Sequence, residues 1–423
     1  MRVVVLGSGA REHAFVARLA AERDVSEIVA APGNPGIGRL ARTLPVDLGD
    51  PDAVLSLAER EQIDYTIVGP ELPLSLGLAD RFADAGRLLL GPTAAAAQLE
   101  SSKAFAKAFM ARHGIPTARF RVCEALDEAL ACIRSGEFGE PVVLKADGLA
   151  AGKGVVIAED RAAAEGAITE AMRDRKFGAA GDRLVIEECM TGPEVSFFAL
   201  CDGVRAIPIG TAQDHKRIFD DDLGPNTGGM GAFAPSPLMD AALEARVMRE
   251  IVNPVIAGMA AEGHPFRGFL FVGLMLTADG PKVIEFNVRM GDPETQVVLP
   301  LIDEPLLPLL VAAATGALRG SSIRIGTDCL AGVVLASRGY PESAESGQTI
   351  EGIEEAEAIP GVAVYHAGTA LKDRRLVTAG GRVLTVVGRG ADFTEAVARA
   401  YTGVLHIRFD GMQYRRDIGR RAL

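Results

Sequence analysis

The sequence predicts an α/β and α+β multidomain protein, and three observations support this fold class. Residues 1–100 alternate short β-rich runs with helical stretches, the pattern of βαβ units and a parallel sheet. From about residue 120 apolar runs meet at glycine-rich loops, and after about residue 325 the chain is β-dominated. With 423 residues and roughly 150 residues per domain, about three domains are expected.

Composition and charge restrict the class of protein. Hydrophobic residues are 48% and charged residues 24% of the chain, which excludes a disordered or fibrous protein. The net charge of -12 argues against a protein that grips nucleic acid through its phosphates. No apolar run reaches the roughly 18 residues of a membrane helix, and MRVVVLGSGA reads as a buried strand rather than a signal peptide. Five scattered cysteines without a CxxC pair indicate reduced thiols, so we expect a cytoplasmic protein with no nucleic-acid or membrane partner.

The first region carries apolar runs that end in loops with Gly or Pro, at 3–6, 27–33, 65–71 and 87–92. A helix is expected at about 12–22, after the first run. The functional loops of a parallel sheet lie at the carboxyl ends of its strands. SSKAFAKAFMARHGIPTA (101–118) predicts a further helix, with Ser101 or Ser102 as N-cap and Gly114 just past its end.

The middle and C-terminal regions are α+β in pattern. Expected strands lie at 141–148, 154–160, 183–190 and 194–203, and near 205–211, 268–277 and 281–288. A long helix is expected near 240–261. Further β-rich runs and one helix near 393–406 predict a compact β-rich cap at the C-terminus.

GSGAREH (7–13) follows the first strand and resembles the dinucleotide fingerprint G-x-G-x-x-G. Glu12 replaces the third glycine, which weakens the interpretation as an NAD or FAD site. The loop can still place backbone N–H groups and a helix N-terminus around one phosphate. A phosphorylated small molecule is therefore favoured, with a purely structural turn as the alternative.

Two further loops end strands of the same sheet, AAPGNPGIG (30–38) and VGPELPL (68–74). Each alone is equally well explained as a turn made by Gly and Pro. Asn34 and Glu71 lie where a sugar hydroxyl or an amine can be hydrogen-bonded. Three such loops at one edge of the sheet favour a binding site.

DGLAAGKGV (147–155) is a glycine-rich loop between two expected strands. It is not a Walker A motif, because its glycines are too closely spaced and no Ser or Thr follows Lys153. A hairpin loop of this kind can fold over a triphosphate and donate backbone N–H groups, while Lys145 and Lys153 neutralise charge. Phosphate binding is favoured over a bare turn because the two lysines flank three glycines, Gly148, Gly152 and Gly154.

PKVIEFNVRMGDPETQ (281–296) contains an expected strand at 282–289. Strict alternation places Val283, Glu285, Asn287 and Arg289 on one face, opposite an apolar face. Glu and Asn supply hard oxygen ligands suited to Mg²⁺ bound through nucleotide phosphates, and the guanidinium can hold a phosphoryl group. The alternative is a solvent-exposed polar face, on which Asn is rare.

AQDHKRIFDDDLGPNTGGMGAF (212–233) is the densest polar segment and includes Asp214, His215 and Lys216. A loop this long and this rich in Gly and charge is seldom a mere connection. We expect it to bind an amino acid or a reactive acyl phosphate. A lone histidine is more often structural, so His215 is not assigned as a general base, and the other histidines are too dispersed for a metal cluster.

Together these segments resemble the phosphoribosylamine–glycine ligase (glycinamide ribonucleotide synthetase) family of the ATP-grasp superfamily. The resemblance covers essentially the whole chain and includes GSGAREHA, SSKAFAK, KADGLAAGKGV, QDHKR, GPNTGGMGA, EFNVRMGDPETQ, HAGT and YRRDIG. Two departures are Ala10, where the family usually has glycine, and Met290, where it usually has an aromatic residue. The resemblance implies an N-terminal Rossmann-like substrate domain at 1–102, an ATP-grasp region at 103–325 with a lid subdomain at about 120–190, and a β-rich C-terminal cap domain at 326–423.

The family resemblance also implies a reaction, the ATP-dependent ligation of glycine to 5-phosphoribosylamine in de novo purine (IMP) biosynthesis. ATP phosphorylates the glycine carboxylate, and the amine displaces phosphate from glycyl phosphate to give glycinamide ribonucleotide, ADP and phosphate. An enzyme of this kind supplies mainly positioning and charge neutralisation. The implied cofactor is Mg²⁺ or Mn²⁺, the implied partners are small-molecule substrates only, and the chain is expected to be a monomer or a weak homo-oligomer.

The resemblance assigns roles to matching positions of this chain. Asp214 and Arg289 would hold glycine and its acyl phosphate, and Glu285 and Asn287 would bind the metal. ATP binding is assigned to Lys103, Lys145, Gly148, Gly152, Lys153, Gly154, Glu187, Glu188, Met190 and Glu194, with Glu187 and the backbone of 188–190 at adenine and Glu194 at ribose. The remaining substrate contacts are assigned to Gly9, Arg11, Glu12, Asn34, Glu71, Lys216, Asn226 and Asp292, the first four around phosphoribosylamine.

Two other classes of function compete with this one. A different ATP-grasp carboxylate ligase, such as a formate-using or bicarbonate-using purine enzyme, would lack QDHKR and GPNTGGMGA in this form. A nucleotide-binding module without catalysis would not need Glu285, Asn287 and Arg289 on one strand face.

Overall fold

The computed structural model of the protein describes residues 1–148 and 154–423. In the N-terminal region strands and helices alternate along the chain. The elements are β1 (Arg2–Gly7), α1 (Ala10–Ala20), β2 (Glu27–Pro32), β3 (Arg42–Thr43), α2 (Pro51–Arg60), β4 (Tyr65–Val68), α3 (Glu71–Ser75), α4 (Leu78–Asp84), β5 (Leu88–Leu90) and α5 (Ala94–Ser101). The strands form one parallel sheet in the order β3-β2-β1-β4-β5, which confirms the predicted Rossmann-like arrangement.

The register of this sheet brings three loops to one edge. Leu6 of β1 lies opposite Ala31 of β2 and opposite Val68 of β4. The segments that begin at Gly7, Pro32 and Gly69 therefore leave the sheet side by side, as the sequence predicted. The apolar runs are buried on both faces, because helices cover a parallel sheet on both sides.

A second region forms a small sheet with its own core. Its elements are α6 (Lys103–Arg112), β6 (Phe120–Cys123), α7 (Leu126–Ser135), β7 (Val142–Ala146), β8 (Val155–Ala158), α8 (Arg161–Ile168) and β9 (Leu184–Glu188). The antiparallel order is β6-β9-β7-β8. Ser102 caps α6, because its Oγ accepts a hydrogen bond from the Phe105 N–H at 3.1 Å, and Gly114 follows the helix at φ +65°. Of the two predicted caps, Ser102 is the one that the structure uses.

The central region follows along the chain and surrounds a large antiparallel sheet. Its elements are β10 (Glu194–Asp202), β11 (Ala206–Asp214), β12 (Arg217–Phe219), β13 (Leu223–Asn226), β14 (Gly231–Ala234), α9 (Ala241–Val247), α10 (Asn253–Ala261), β15 (Arg267–Thr277), β16 (Gly280–Asn287), α11 (Thr295–Val298) and α12 (Leu306–Ala314). A π-helical turn at Met248–Val252 joins α9 to α10, so the long helix expected near 240–261 is present. β12 and β13 form a separate hairpin.

The C-terminal region extends the central sheet. Its elements are β17 (Cys329–Ala336), α13 (Ile353–Glu357), β18 (Val362–His366), β19 (Thr369–Lys372), β20 (Arg375–Thr378), β21 (Arg382–Gly390) and α14 (Phe393–His406). The eight-stranded order is β16-β15-β10-β11-β14-β17-β21-β18, because β14 pairs with β17. The predicted β-rich character is confirmed, but these strands continue the central sheet.

The packing leaves the four-stranded sheet apart from the rest. Buried apolar residues of the N-terminal sheet and of α1 share a core with the eight-stranded sheet, and the ring centroids of Phe15 on α1 and Phe269 on β15 are 5.7 Å apart. The four-stranded sheet, α7 and α8 enclose a core of their own around Cys123, Leu144 and Ile186. No helix among the described residues is long and apolar enough to cross a membrane.

Candidate active site

The candidate site lies where the four-stranded sheet meets β16, the edge strand of the eight-stranded sheet. The Val283 N–H donates to the Pro116 carbonyl at 2.8 Å, and Thr117 Oγ1 donates to the Val283 carbonyl at 2.7 Å. From β7, Lys145 Nζ donates to the Ile284 carbonyl at 3.1 Å. Backbone groups of β16 thus position two elements that flank the site.

A bulge in β16 changes the predicted alternation. Gly273 of β15 lies opposite Glu285 and the next residue, Leu274, lies opposite Val283, so Ile284 is the extra residue. Val283 is buried in the same core as Phe286 and Val288. The prediction that Val283 shares the face of Glu285 was wrong, because strict alternation does not survive a bulge.

Beyond the bulge the polar residues keep together. Arg289 Nη2 donates to Asn287 Oδ1 at 3.3 Å. Burial acts to raise the pKa of Glu285, but Lys216, Lys145, Lys103 and Arg289 hold this pKa below its usual range. The structure therefore surrounds one ionised carboxylate with four cationic side chains.

The side-chain oxygen atoms that β16 offers indicate what kind of metal ion the site could bind. Among the described residues no group of three or more His, Cys, Asp or Glu side chains is arranged to hold an ion. Glu285 and Asn287 offer one carboxylate and one amide oxygen, which suits an ion such as Mg²⁺ that takes its other ligands from phosphates and water. The residues present therefore fit a metal bound together with a nucleotide.

Arg289 is held by two carboxylates from the N-terminal region. Its Nη2 lies 2.9 Å from Glu100 Oε1 at the end of α5, and its Nε lies 3.4 Å from Glu71 Oε2 at the start of α3. Glu100 also accepts the Val288 N–H at 2.7 Å. Burial raises the pKa of Glu100 and Arg289 opposes this shift. Sequence reasoning found Glu71 and missed Glu100, which lies in an alanine-rich helix without a local motif.

Three charged side chains form a buried cluster: Glu187 on β9, Lys145 on β7 and Lys107 on α6. Glu187 Oε2 is 3.0 Å from Lys107 Nζ and 3.1 Å from Lys145 Nζ, and all three side chains are buried. Burial lowers the pKa of Lys107 to about 8, although Glu187 acts in the opposite direction. The other oxygen, Glu187 Oε1, is buried without a hydrogen-bond partner in the part of the chain that the structure describes. Lys107 was missed, although it lies four residues after Lys103 on the same helix face.

The remaining predicted ATP residues surround this cluster. Lys103 Nζ donates to the Gly148 carbonyl at 3.0 Å. The Glu188 carboxylate accepts from Arg119 Nε at 2.6 Å, and the Glu188 N–H donates to the Arg119 carbonyl at 3.1 Å. Met190 is half-buried, and Gly154 accepts the Ala146 N–H at 2.8 Å. Gly152 and Lys153 lie outside the described residues.

Asp214 belongs to a cluster of acids and one lysine at the end of β11. Lys216 Nζ lies 2.5 Å from Glu194 Oε2. Burial raises the pKa of Asp214, and Lys216 opposes this shift. Burial and the nearby Asp214 raise the pKa of Glu294 to about 7, and Ser196 Oγ donates to Glu294 Oε1 at 3.3 Å. Sequence reasoning missed Glu294, although it lies within the GDPE run that follows Arg289.

Glu12 braces the first strand-end loop from inside. It is 2% exposed, accepts the Gly9 N–H at 2.6 Å and pairs with Arg11 Nε at 2.6 Å. A Cβ at Gly7 would lie 2.6 Å from Glu12 Cδ, and a Cβ at Gly69 would overlap the carboxylate. The glycines therefore make room for Glu12, and the Gly9 N–H is used within the chain.

Arg11 and Asp292 connect this loop to the end of β16. Arg11 Nη1 donates to the Met290 carbonyl at 3.2 Å, and a Cβ at Gly9 would lie 3.4 Å from Asp292 Oδ2. Burial acts to raise the pKa of Asp292, but Arg382 and Arg11 lower it overall. The predicted phosphoribosyl loop and the predicted acyl-phosphate strand thus meet.

Two predicted substrate residues have other contacts. Asn34 donates to the Ser8 carbonyl at 2.9 Å and to the His366 carbonyl at 2.8 Å, and its Oδ1 accepts the Ile37 N–H at 2.9 Å. Its amide thereby ties two loops to β18. Asn226 is exposed on β13 opposite Arg217, and within the described ranges its side chain has no hydrogen bond to another site residue.

Comparison with known proteins finds relatives along the whole chain. Three family models match it: the phosphoribosylglycinamide synthetase N domain at residues 1–100, the ATP-grasp (A) domain at 101–295 and the C domain at 330–421. A phosphoribosylamine–glycine ligase of Xylella fastidiosa (strain Temecula1) is 51% identical over 428 residues, covering 100% of this chain and 98% of that protein. One from Xanthomonas axonopodis pv. citri is 50% identical, with the same coverage.

Solved structures agree with these matches. The crystal structure of phosphoribosylamine–glycine ligase from Thermotoga maritima matches with a TM-score of 0.87 and 33% identity, over 99% of this chain and 100% of that one. A biotin carboxylase from Campylobacter jejuni matches with a TM-score of 0.75 and 16% identity, over 98% of this chain and 92% of that one. The second match shows likeness of fold alone.

Proposed function

This chain belongs to the phosphoribosylglycinamide synthetase family, and we propose on that premise that it ligates glycine to 5-phosphoribosylamine and converts ATP to ADP and phosphate in the same reaction. The product is glycinamide ribonucleotide, an intermediate of purine biosynthesis. The observation that carries the proposal is the placement of Glu285 and Asn287 on one strand with four cationic side chains around them, one of which, Arg289, donates to Asn287. This arrangement suits a bound polyphosphate and the transfer of its terminal phosphoryl group.

We propose that the reaction passes through glycyl phosphate. A glycine carboxylate oxygen takes the γ-phosphoryl group of ATP, and ADP leaves. The phosphoribosylamine nitrogen then attacks the acyl carbon, loses a proton and expels phosphate, which balances the overall equation. Lys103, Lys145 and Arg289 would neutralise charge on the phosphoryl oxygens, and the enclosed geometry would hold the two reactants in line.

Glu285 and Asn287 would hold Mg²⁺ or Mn²⁺ in this scheme. When bound, such an ion would neutralise negative charge on the phosphates and orient the terminal phosphoryl group towards the glycine carboxylate. The charge of the Glu285 carboxylate would also offset part of the positive charge of Lys103, Lys145 and Lys216 before the nucleotide binds.

The other substrates have proposed places around this centre. Glu187 and the backbone of 188–190 would receive adenine, since the free Oε1 of Glu187 is able to accept an N–H from a ligand. Glu194 would bind ribose, and Asp214 would face the glycine amine. The loop at Gly9 and Arg11, with Glu71 and Asp292 nearby, would bind phosphoribosylamine.

The organisation of the chain is part of the proposal. We divide it into a substrate domain at 1–102, an ATP-grasp region at 103–325 with a lid at about 120–190, and a cap domain at 326–423. We also propose a cytoplasmic enzyme that works on small molecules as a monomer or a weak homo-oligomer.

Phosphate release from ATP tests this function. We expect release that needs glycine, Mg²⁺ and phosphoribosylamine together, with glycinamide ribonucleotide formed in equal amount by mass spectrometry. Formate and bicarbonate replace glycine in parallel reactions, because other ATP-grasp ligases use them. Turnover with either of these in place of glycine, or no turnover with any carboxylate, would contradict the proposal.

A further inference from the structure

The C-terminal segment reaches the segment that carries Asp214 and Lys216. Arg415 is 1% exposed, and its guanidinium forms four hydrogen bonds. Its Nε and Nη2 donate to Asp417 at 2.7 and 2.6 Å, and its Nη1 donates to Asp222 Oδ1 at 2.9 Å and to the Arg217 carbonyl at 3.1 Å. The Arg415 side chain, from the C-terminal segment, is thus hydrogen-bonded to the hairpin of β12 and β13.

The residues just before this contact belong to the candidate site. The His215 N–H donates to the Gly231 carbonyl at 2.9 Å, and the Lys216 carbonyl accepts the Thr227 N–H at 2.7 Å. The Arg217 carbonyl accepts from Arg415. Three consecutive residues are therefore held by hydrogen bonds from two segments, 227–231 and the C-terminal segment, and the Nζ of the middle residue, Lys216, lies 2.5 Å from Glu194.

Further contacts connect the same two segments. The Arg416 N–H donates to Asp220 Oδ1 at 2.7 Å, and the Asp221 N–H donates to Asp417 Oδ2 at 3.0 Å. Tyr401 on α14 accepts the Ile418 N–H at 2.9 Å and donates to the Arg415 carbonyl at 2.9 Å. The C-terminal segment is thereby anchored to α14 on one side and to the hairpin on the other.

A buried guanidinium is an expensive way to gain stability. Burying its charge has a desolvation cost that paired carboxylates only roughly offset, and an apolar side chain of similar volume avoids this cost. The fork of N–H groups instead supplies direction, since it holds two carboxylates and a carbonyl at fixed angles. This network therefore fixes the orientation of the hairpin, which an apolar contact would not do.

We propose that Arg415 is a positioning residue of the glycine site. By fixing the Arg217 carbonyl, Arg415 sets the backbone from which Lys216 and Asp214 face the site, so binding of the amino acid depends on a side chain from the C-terminal region. The inference rests on the proposed function, because that function places glycine at Asp214.

Arg415→Lys is the main test. Lysine keeps the positive charge beside Asp417 and Asp222 but lacks the planar fork that also reaches the Arg217 carbonyl. We expect the KM for glycine to rise at least about tenfold and kcat at saturating glycine to stay within about threefold. The KM for ATP should rise by a clearly smaller factor, because Lys216 also pairs with Glu194, the residue proposed for ribose. Arg416→Lys is the matched control, because Arg416 is the next residue and is exposed, and its guanidinium makes no hydrogen bond or ion pair with any described residue.

Asp222→Ala is the second variant, because it removes the carboxylate that shares Arg415 Nη1 with the Arg217 carbonyl and leaves the pair of Arg415 with Asp417. It should raise the KM for glycine in the same direction and by a smaller factor, which keeps the proposal testable if the lysine variant does not fold. Unchanged glycine KM in both variants of an active enzyme overturns this inference alone. Equal rises of the KM for glycine and for ATP also overturn it, since they indicate a general structural defect. A wild-type enzyme that does not use glycine overturns the proposed function and this inference together.

Discussion

At the scale of single residues, Glu285 has two separable effects on the site. It offers a carboxylate oxygen to a metal, and its charge balances Lys103, Lys145, Lys216 and Arg289. An amide in its place would keep the shape of the strand, remove the negative charge and offer the metal only a neutral oxygen. The residue is only partly buried, so the change leaves no cavity in the core.

Glu285→Gln should therefore lower turnover by a factor on the order of 100 or more while the protein stays folded. Asn287→Ala should act in the same direction. The measurement is turnover across a Mg²⁺ titration, with thermal unfolding of the same samples. Asp279→Asn, at an exposed carboxylate on the turn before β16, is the control and should behave as wild type. Near-normal turnover of Glu285→Gln at limiting Mg²⁺ would remove this residue from the metal site.

Glu294 gives a prediction about how the free energy of unfolding depends on pH. Its folded-state pKa is raised to about 7 by burial and by Asp214, whereas an unfolded glutamate titrates near 4.5. The neutral form is favoured by folding, so its contribution is present below pH 4.5 and is lost as pH rises towards 7. Glu294→Gln should thus stabilise the protein by about 1–3 kcal/mol at pH 8 and by little at pH 4.5. Urea unfolding at the two pH values measures this, and an equal effect at both would contradict it.

Some of the site could be predicted from local pattern and some could not. Glu285, Asn287 and Arg289 stand two residues apart on a strand, and this spacing alone indicated a shared face. Glu100 contacts the same Arg289, but 188 residues separate Glu100 from the Val288 N–H that it accepts, and an alanine-rich helix gives no signal of such a contact. Arg415 is similar, because only the fold brings it to Arg217.

At the scale of elements, the periodicity of the sequence predicted where strands lie, but it did not predict bulges within strands or which strands pair. The bulge at Ile284 follows from how β16 pairs with β15, which a single strand does not reveal. The pairing of β14 with β17 likewise depends on the partner strand, so the sequence predicted a compact β-rich cap but not its continuity with the central sheet. The loops of the first sheet were found correctly because each follows its own strand.

The strand-end loops also give a prediction of their own. Gly69→Ala places a Cβ against the Glu12 carboxylate, so either the loop or Glu12 must move. We expect a loss of about 1–3 kcal/mol in the free energy of unfolding. We also expect a higher KM for phosphoribosylamine and little change in the KM for ATP, since the Gly9 and Arg11 contacts of Glu12 would be disturbed.

Gly166→Ala is the control for this change. Gly166 is exposed within α8, and a Cβ there meets nothing within 4 Å among the described residues. Because alanine is the better helix former, the variant should gain up to about 1 kcal/mol. If Gly69→Ala is as stable as wild type and keeps its KM for phosphoribosylamine, Glu12 does not brace the loop as described.

At the scale of the whole molecule, buried histidines join regions that lie far apart in sequence. The His366 N–H on β18 donates to His13 Nδ1 on α1 at 2.8 Å, and a Cβ at Gly36 would lie 2.5–2.6 Å from both rings. His215 is buried beside Phe233, with 5.9 Å between ring centroids. Burial is the main cause that lowers the pKa of His13 to about 3 and those of His215 and His366 to about 4.

These three imidazoles predict that the protein loses stability in mild acid. An unfolded histidine titrates near pH 6.5, so below that pH the unfolded chain binds more protons than the folded one, and the free energy of unfolding falls with pH. The slope between pH 6.5 and 5 should approach about 1.4 kcal/mol per pH unit for each histidine, which outweighs the single opposite contribution of Glu294. His366→Gln should lower the slope by about 1.4 kcal/mol per pH unit, because it removes one of the three imidazole titrations. His264→Gln, at an exposed position, is the control and should keep the full slope. Urea unfolding midpoints measured from pH 5 to 7 test this prediction. If the urea midpoint of the wild-type protein does not decrease as the pH is lowered below 6.5, these histidines are protonated in the folded protein.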